Sequence, residues 1–166
     1  MDISYTAATV GAVLLIMQLV FMISTGTHRG KKVIGVGVGE DKDLERKMRR
    51  HGNLVENAAI FIVVLALTEG ILGGGVVVTA FGALFVLARF SHAAAFSSLE
   101  GSHGVEGGSK LYLRLRMAGA LGTSLCGIGL SLYLLFSLYV YSCAADLTGG
   151  MPANSMKPPP YWGRRA

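Results

Sequence analysis

The sequence predicts an all-α integral membrane protein, a bundle of four transmembrane helices. Three observations predict it. Of its 166 residues, 52% are hydrophobic and 15% charged, and the mean hydropathy is +0.53, the balance of one small membrane domain. Apolar segments at about 4–23, 44–72, 76–96 and 110–141 each supply the roughly 20 residues that a helix needs to cross a bilayer. The basic residues crowd around the two polar connections that an up-and-down arrangement puts on one membrane face. Residues 1–141 make up the four-helix domain, and residues 142–166 a C-terminal extension of proline, aromatic and basic character.

The first span, 4–23, is not a signal peptide. Asp2 is the only early charge, the basic n-region is missing, and the apolar run exceeds a typical h-region. Residues 24–43 are polar and glycine-rich and read as a flexible cytosolic loop. Gly35, Gly37 and Gly39 superficially suggest a phosphate-cradling turn. The dinucleotide fingerprint, however, needs a strand before it and a helix packed in a βαβ unit after it, and two membrane spans supply neither. Asp41 or Asp43 is expected to cap the second helix, with Glu45 in its first turn complementing the helix dipole.

The second helix, 44–72, starts strongly charged and becomes apolar without a break. At about 100° per residue, Arg46, Arg49, Asn53 and Glu56 fall on one face. The two arginines can sit at headgroup depth, whereas Asn53 and Glu56 reach into the hydrocarbon. A carboxylate is costly there, so Glu56 is expected to face a protein interior and to have a partner. Gly73–Gly75 link to the third helix, 76–96, which carries Arg89 and His92 one turn apart near its end. A polar loop, 97–109, leads to the fourth helix, 110–141, whose start is basic through Lys110, Arg114 and Arg116.

Charge orients the bundle. Basic residues from Arg29 to Arg50 flank the first loop, and Arg89, Lys110, Arg114 and Arg116 flank the other, leaving Lys157, Arg164 and Arg165 for the opposite side. The positive-inside rule makes both loops cytosolic and puts both termini on the opposite side. The membrane itself, bacterial inner, endoplasmic reticulum or organellar, is left open. The net charge of +5 sits beside anionic membrane lipids, and without interleaved aromatics it argues against nucleic acid. Cys126 and Cys143 lie about 25 Å apart along one helix, too far to bridge, and read as small packing residues. His28, His51, His92 and His103 show no metal-ligand spacing, so no metal is expected.

If the second, third and fourth helices pack together, Arg89, His92 and Arg116 converge with Arg49, Asn53 and Glu56 at one depth. Guanidinium forks match carboxylates bidentately. The natural ligand therefore has more than one carboxylate and a cationic group for Glu56. Glutathione, with two carboxylates, one ammonium and one thiol, fits, and a nearby arginine would favour its thiolate. An opening toward lipid would admit an apolar electrophile for thiol addition or substitution, or a lipid hydroperoxide for reduction. A packing reading stands beside this one: basic helix ends snorkel to the interface, and Asn53 and Glu56 hold helices together.

The pattern Arg46-x-x-Arg49-x-His51-Gly52-Asn53-x-x-Glu56 resembles the signature of the MAPEG family, the membrane-associated proteins of eicosanoid and glutathione metabolism, and most of all its short bacterial-type members. Leu87-Ala-Arg89-Phe-Ser-His92 is similar to the family's Gly-Arg-x-x-His segment, and Arg114-Leu-Arg116-Met-Ala-Gly119 to its Arg-x-x-Gly start of the fourth helix. The resemblance implies four-helix subunits in a homotrimer, with glutathione as co-substrate bound between neighbours near the cytosolic face. It further implies that Arg49, Asn53 and Glu56 hold glutathione, with Arg46, Arg89 and Arg114 adding positive charge to the same site. His51 and His92 would support the pocket wall, and Arg116 would stabilise the thiolate as the catalytic residue of a transferase or peroxidase. The chain departs from the pattern at Arg50, Asn57, Ala59, Phe96 and Met117, where members carry a small residue, Tyr, a nearby Pro, Tyr and Ser respectively.

Residues 142–166 extend beyond the resemblance. Pro158–Pro160 favour a polyproline II path, and Tyr161 and Trp162 favour membrane interfaces. The extension motivates a second class of function: a non-catalytic accessory subunit, docked through this tail to other subunits of a larger membrane assembly, an organellar one included.

Overall fold

The computed structural model describes residues 5–99 and 109–147. They form four helices: α1 Thr6–Lys32, α2 Lys42–Leu72, α3 Val76–Ala95 and α4 Lys110–Leu147. All four are long and apolar enough to cross a membrane. α3 packs most extensively on α4, and α1 on α2.

The buried positions explain how the helices meet. Along the spans they include, in α1, Ala7, Val10, Leu14, Met17 and Phe21, and in α2 Leu54, Ala58, Phe61, Leu65, Thr68 and Leu72. These steps alternate between three and four residues, the narrow seam of long helices running side by side at shallow angles. Phe61 and Phe85 stack across the α2–α3 contact with ring centroids 3.7 Å apart. Outside the seam, large apolar residues such as Ile16, Val20, Ile60, Leu125 and Leu132 are exposed. A bilayer accepts that surface without cost. The α3–α4 contact is the closest, because Gly119 and Gly122 offer no side chain: a Cβ at Gly119 would lie 2.6 Å from the His92 backbone, and one at Gly122 2.9 Å from Ala88 Cβ.

Two helix bounds differ from those expected. α1 continues past residue 23 to Lys32, so the connection to α2 is loop only over 33–41. Hydropathy ends where lipid ends, but the helix continues in the polar stretch. There Arg29, Lys31 and Lys32 complement the negative end of its dipole, and Arg29 Nη1 donates to the carbonyls of Ile34 (3.2 Å) and Gly35 (3.3 Å). α4 likewise runs past residue 141 to Leu147, and the expectations for the Pro158–Trp162 segment lie outside the described residues. Asp41 is the cap of α2, its Oδ1 accepting from the Leu44 amide at 2.9 Å. The Gly73–Gly75 link turns through Gly73 at φ 82°, a left-handed angle that suits glycine.

At the end remote from the basic loops, α1 has no side-chain cap of its own. The Glu69 carboxylate, from α2, takes that role: Oε1 accepts from the Thr6 amide and Oε2 from the Ala7 amide, both at 2.9 Å. The Thr6 and Thr79 hydroxyls share a hydrogen bond of 3.2 Å, adding α3 to the tie. The carboxylate satisfies orphan amides at the positive end of a helix. Replacing Glu69 with Ala is expected to lower stability by about 1–2 kcal/mol, read as an earlier thermal unfolding transition in detergent, whereas Thr79→Ala has a smaller effect.

Candidate functional site

The polar stripe of α2 divides in the folded chain. Arg46 and Glu56, ten positions apart, diverge by about 80° at 100° per residue and reach opposite edges of the stripe. Arg46 turns inward and is only 7% exposed. Its Nε and Nη2 donate to Asp43 Oδ1 at 2.9 and 2.6 Å, and Nη1 donates to the backbone carbonyl of Phe96. The expectation that Arg46 belongs with Arg49, Asn53 and Glu56 to one face and one ligand site is therefore corrected: its whole fork is engaged inside the bundle.

The remaining members face outward. Arg49 is exposed and its Nε pairs with Glu45 Oε1 at 3.0 Å. Asn53 is half-buried, and its Nδ2 donates to the Arg49 carbonyl at 2.8 Å. Glu56 is exposed beside exposed Val55, Ile60 and Val63. This corrects the expectation of an interior location for Glu56 within one protomer. The carboxylate makes no ion pair among the described residues, and beyond it the face continues through exposed Ala59, Ile60 and Val63. One residue further, Asn57 opens a groove of about 340 Å³ between α2 and α4, floored by Phe61 and Phe85 and edged by Thr123, Ser124 and Ser131.

The third-helix pair lies elsewhere. Arg89 and His92 are 3% and 7% exposed and sit in the α3–α4 seam, which corrects the expectation that they meet Arg49, Asn53 and Glu56 on one surface. Arg89 Nη1 donates to Thr123 Oγ1 at 2.9 Å, and that hydroxyl donates to the Gly119 carbonyl at 2.7 Å. His92 packs on Gly119, with its ring centroid 5.1 Å from that of Phe96. Arg116 is half-buried, with Cζ 5.0 Å above the centre of the Phe96 ring. Arg114 is exposed. His51 is half-buried and its Nε2 has no hydrogen-bond partner among the described residues. The basic end thus holds two groups: Arg49, Asn53 and Glu56 on an open face, and Arg46, His92 and Arg116 around Phe96. No hydrogen bond or ion pair joins Arg49, Asn53 or Glu56 to Arg89, His92 or Arg116 among the described residues.

The sequence model of the MAPEG family matches residues 7–136. The chain belongs to the MAPEG family. No curated protein sequence matches it. The matched span takes in nearly all of the four-helix bundle, including both polar groups at the basic end. Membership makes this a membrane protein of a family tied to glutathione and eicosanoid metabolism.

One cluster in this MAPEG chain escaped the sequence reading. His28, near the end of α1, places Nε2 2.9 Å from Asp41 Oδ2. On its other side Nδ1 lies 2.7 Å from Lys47 Nζ and 3.4 Å from Asp43 Oδ2. Lys47 also pairs with Asp43 at 2.9 Å. Nothing in the spacing of the histidines signals this, because the partners meet only when the 33–41 turn folds back on itself. The hydrogen bond from His28, followed by that from the Leu44 amide, holds the Asp41 carboxyl down from 3.8 to about 2. A depressed carboxyl stabilises the fold above its unfolded value and loses that contribution as pH falls through the folded one. Protection of the Leu44 amide from hydrogen exchange is therefore expected to be constant above about pH 5 and to fall between about pH 4 and 2. Asp41→Asn is expected to show the reduced protection already at neutral pH.

Proposed function

We propose that this MAPEG protein binds glutathione on Arg49, Asn53 and Glu56, in a crevice that closes between neighbouring protomers of a homotrimer. There it transfers the thiol to apolar electrophiles or reduces lipid hydroperoxides. The observation that carries the reading is Glu56: a carboxylate without an ion-pair partner among the described residues, exposed on a membrane span whose face continues beyond it through exposed Ala59, Ile60 and Val63. Such a group is expensive against lipid and inexpensive against a cation, and the ammonium of glutathione supplies one. Arg49, about two turns nearer the basic end, matches a glutathione carboxylate. Its pair with Glu45 is solvent-exposed, with side chains 65% and 47% accessible, so releasing it costs little. Exposed Arg114 adds charge for the second carboxylate, and Asn53 keeps an amide oxygen for a peptide N–H.

Arg116 is the catalytic residue of the proposal. Its guanidinium favours the thiolate over the thiol by opposite charge. In transfer, the thiolate sulfur forms a bond to the electrophilic carbon and the leaving group departs with the bonding pair. In peroxide reduction, the thiolate attacks the terminal oxygen, the O–O bond breaks, and an alcohol leaves after taking a proton. A second glutathione then displaces water from the sulfenic acid to give the disulfide. Two glutathione molecules are oxidised for each hydroperoxide reduced. The basic loops lie on the cytosolic side, where positive charge accumulates.

Calorimetry on the detergent-solubilised protein tests binding, and conjugation of an aryl halide tests turnover. Glu56→Ala and Arg49→Ala are expected to weaken glutathione binding at least about tenfold, the loss of one charge-assisted hydrogen bond. Arg116→Ala is expected to leave binding near wild type and lower turnover more than tenfold by the same scale. Absence of glutathione binding to the wild type overturns the proposal, and binding without turnover identifies a non-catalytic member.

A further inference from the structure

We propose that Arg46 is a positioning residue for Arg116 and acts through Phe96: it fixes the end of α3, and the Phe96 ring in turn fixes the guanidinium that faces the thiol. The inference rests on the reading of Arg116 given above for its catalytic consequence, but its geometry stands without it.

Phe96 is where α3 stops. Its own amide donates to the carbonyl of Ala93 (3.1 Å) and the next amide, of Ser97, to that of Ala94 (3.0 Å), while its carbonyl belongs to the orphan acceptors that any helix leaves at its C-terminus. A cation is the favoured partner for such a group, and Arg46 supplies one from a different helix. Phe96 is 1% exposed, and its ring lies against both His92 and Arg116. Arg116 makes no hydrogen bond or ion pair among the described residues, so the ring face is its one specific anchor, a cation–π contact.

Arg46 is itself held. Two of its nitrogens rest on Asp43, and Asp43 is shared with Lys47 and His28. A line of contacts therefore runs from the end of α1, through the first turn of α2 and the residue that caps the end of α3, to the start of α4. The planar fork of arginine is what closes this line. It spans a carboxylate and a carbonyl at once, which the single ammonium of lysine does not reproduce. Arg46→Lys is for that reason a discriminating change: it keeps the charge and removes the bridge.

The guanidinium nitrogen NMR signal of Arg116 in ligand-free protein reads the geometry directly. In wild type it is expected to carry the ring-current shift of Phe96, and in Arg46→Lys and Phe96→Leu to lose it, while Phe96→Tyr retains it. With glutathione bound, the ultraviolet absorbance of the thiolate reads the consequence. Arg46→Lys and Phe96→Leu are each expected to raise the thiol pKa by about one unit, a tenfold smaller thiolate fraction below that pKa, with glutathione affinity within about twofold of wild type. The double variant is expected to be no worse than the worse single one, because both break the same line. An unchanged Arg116 signal in Arg46→Lys overturns the inference. So does additivity in the double variant, or a loss of glutathione affinity like that of Arg49→Ala. If glutathione fails to bind wild type while the Arg116 signal responds as described, the proposed function falls and the positioning role of Arg46 stands.

Discussion

Lipid is as apolar as leucine, so burying leucine against leucine gives four spans no reason to stay together once they are in a bilayer. What holds this bundle is fit and a few polar ties. The seam of alternating three- and four-residue steps keeps each helix beside its neighbour, and Gly119 and Gly122 let α4 approach α3 to backbone contact. The ties sit at the two ends. At one, the Glu69 carboxylate takes the first amides of α1. At the other, Arg46 takes the last carbonyl of α3. Each satisfies a helix terminus with a charged side chain from α2, so α2 is the member to which the ends of its neighbours are fastened.

Much of this was legible in the sequence, and the limits have physical causes. The starts of α3 and α4 and the Gly73–Gly75 link follow from where apolar runs meet glycine or lysine, and an aspartate cap at 41 or 43 from short acceptors around the charged first turn of α2, with the Leu44 amide deciding for Asp41. The end of α1 was not legible, because hydropathy marks the edge of the lipid while helix continues wherever caps and charges allow. Nor were Glu69 and His28. Their partners are 62 or 63 and 13 residues away respectively, and two of Glu69's acceptor contacts are to backbone amides, which leave no trace in side-chain patterns.

The same limit explains the divided polar stripe. Spacing placed Arg46, Arg49, Asn53 and Glu56 on a common arc, and the arc exists. It is wide enough for its two edges to meet different surroundings, and spacing alone does not say which edge faces the bundle. Arg89 and His92 show the complementary case: a basic pair near a helix end looks like part of a ligand pocket, yet the absence of a side chain at Gly119 opens the α3–α4 seam to receive His92, and Thr123 accepts from Arg89 within it.

Arg46 and Arg49 are one residue type three positions apart, and burial gives them different work. The fork of Arg46 is consumed by Asp43 and the Phe96 carbonyl, away from water, where loss of either partner leaves a buried charge uncompensated. The fork of Arg49 rests on Glu45 in solvent, an interaction worth about 0–1 kcal/mol. A carboxylate ligand of the kind proposed would therefore recruit Arg49 without disturbing the bundle, whereas recruiting Arg46 would free the end of α3 and the ring beneath Arg116. On the proposed function, binding and positioning are divided between adjacent turns of one helix. That division would let the open face exchange ligands while the line from His28 to Arg116 stays in place.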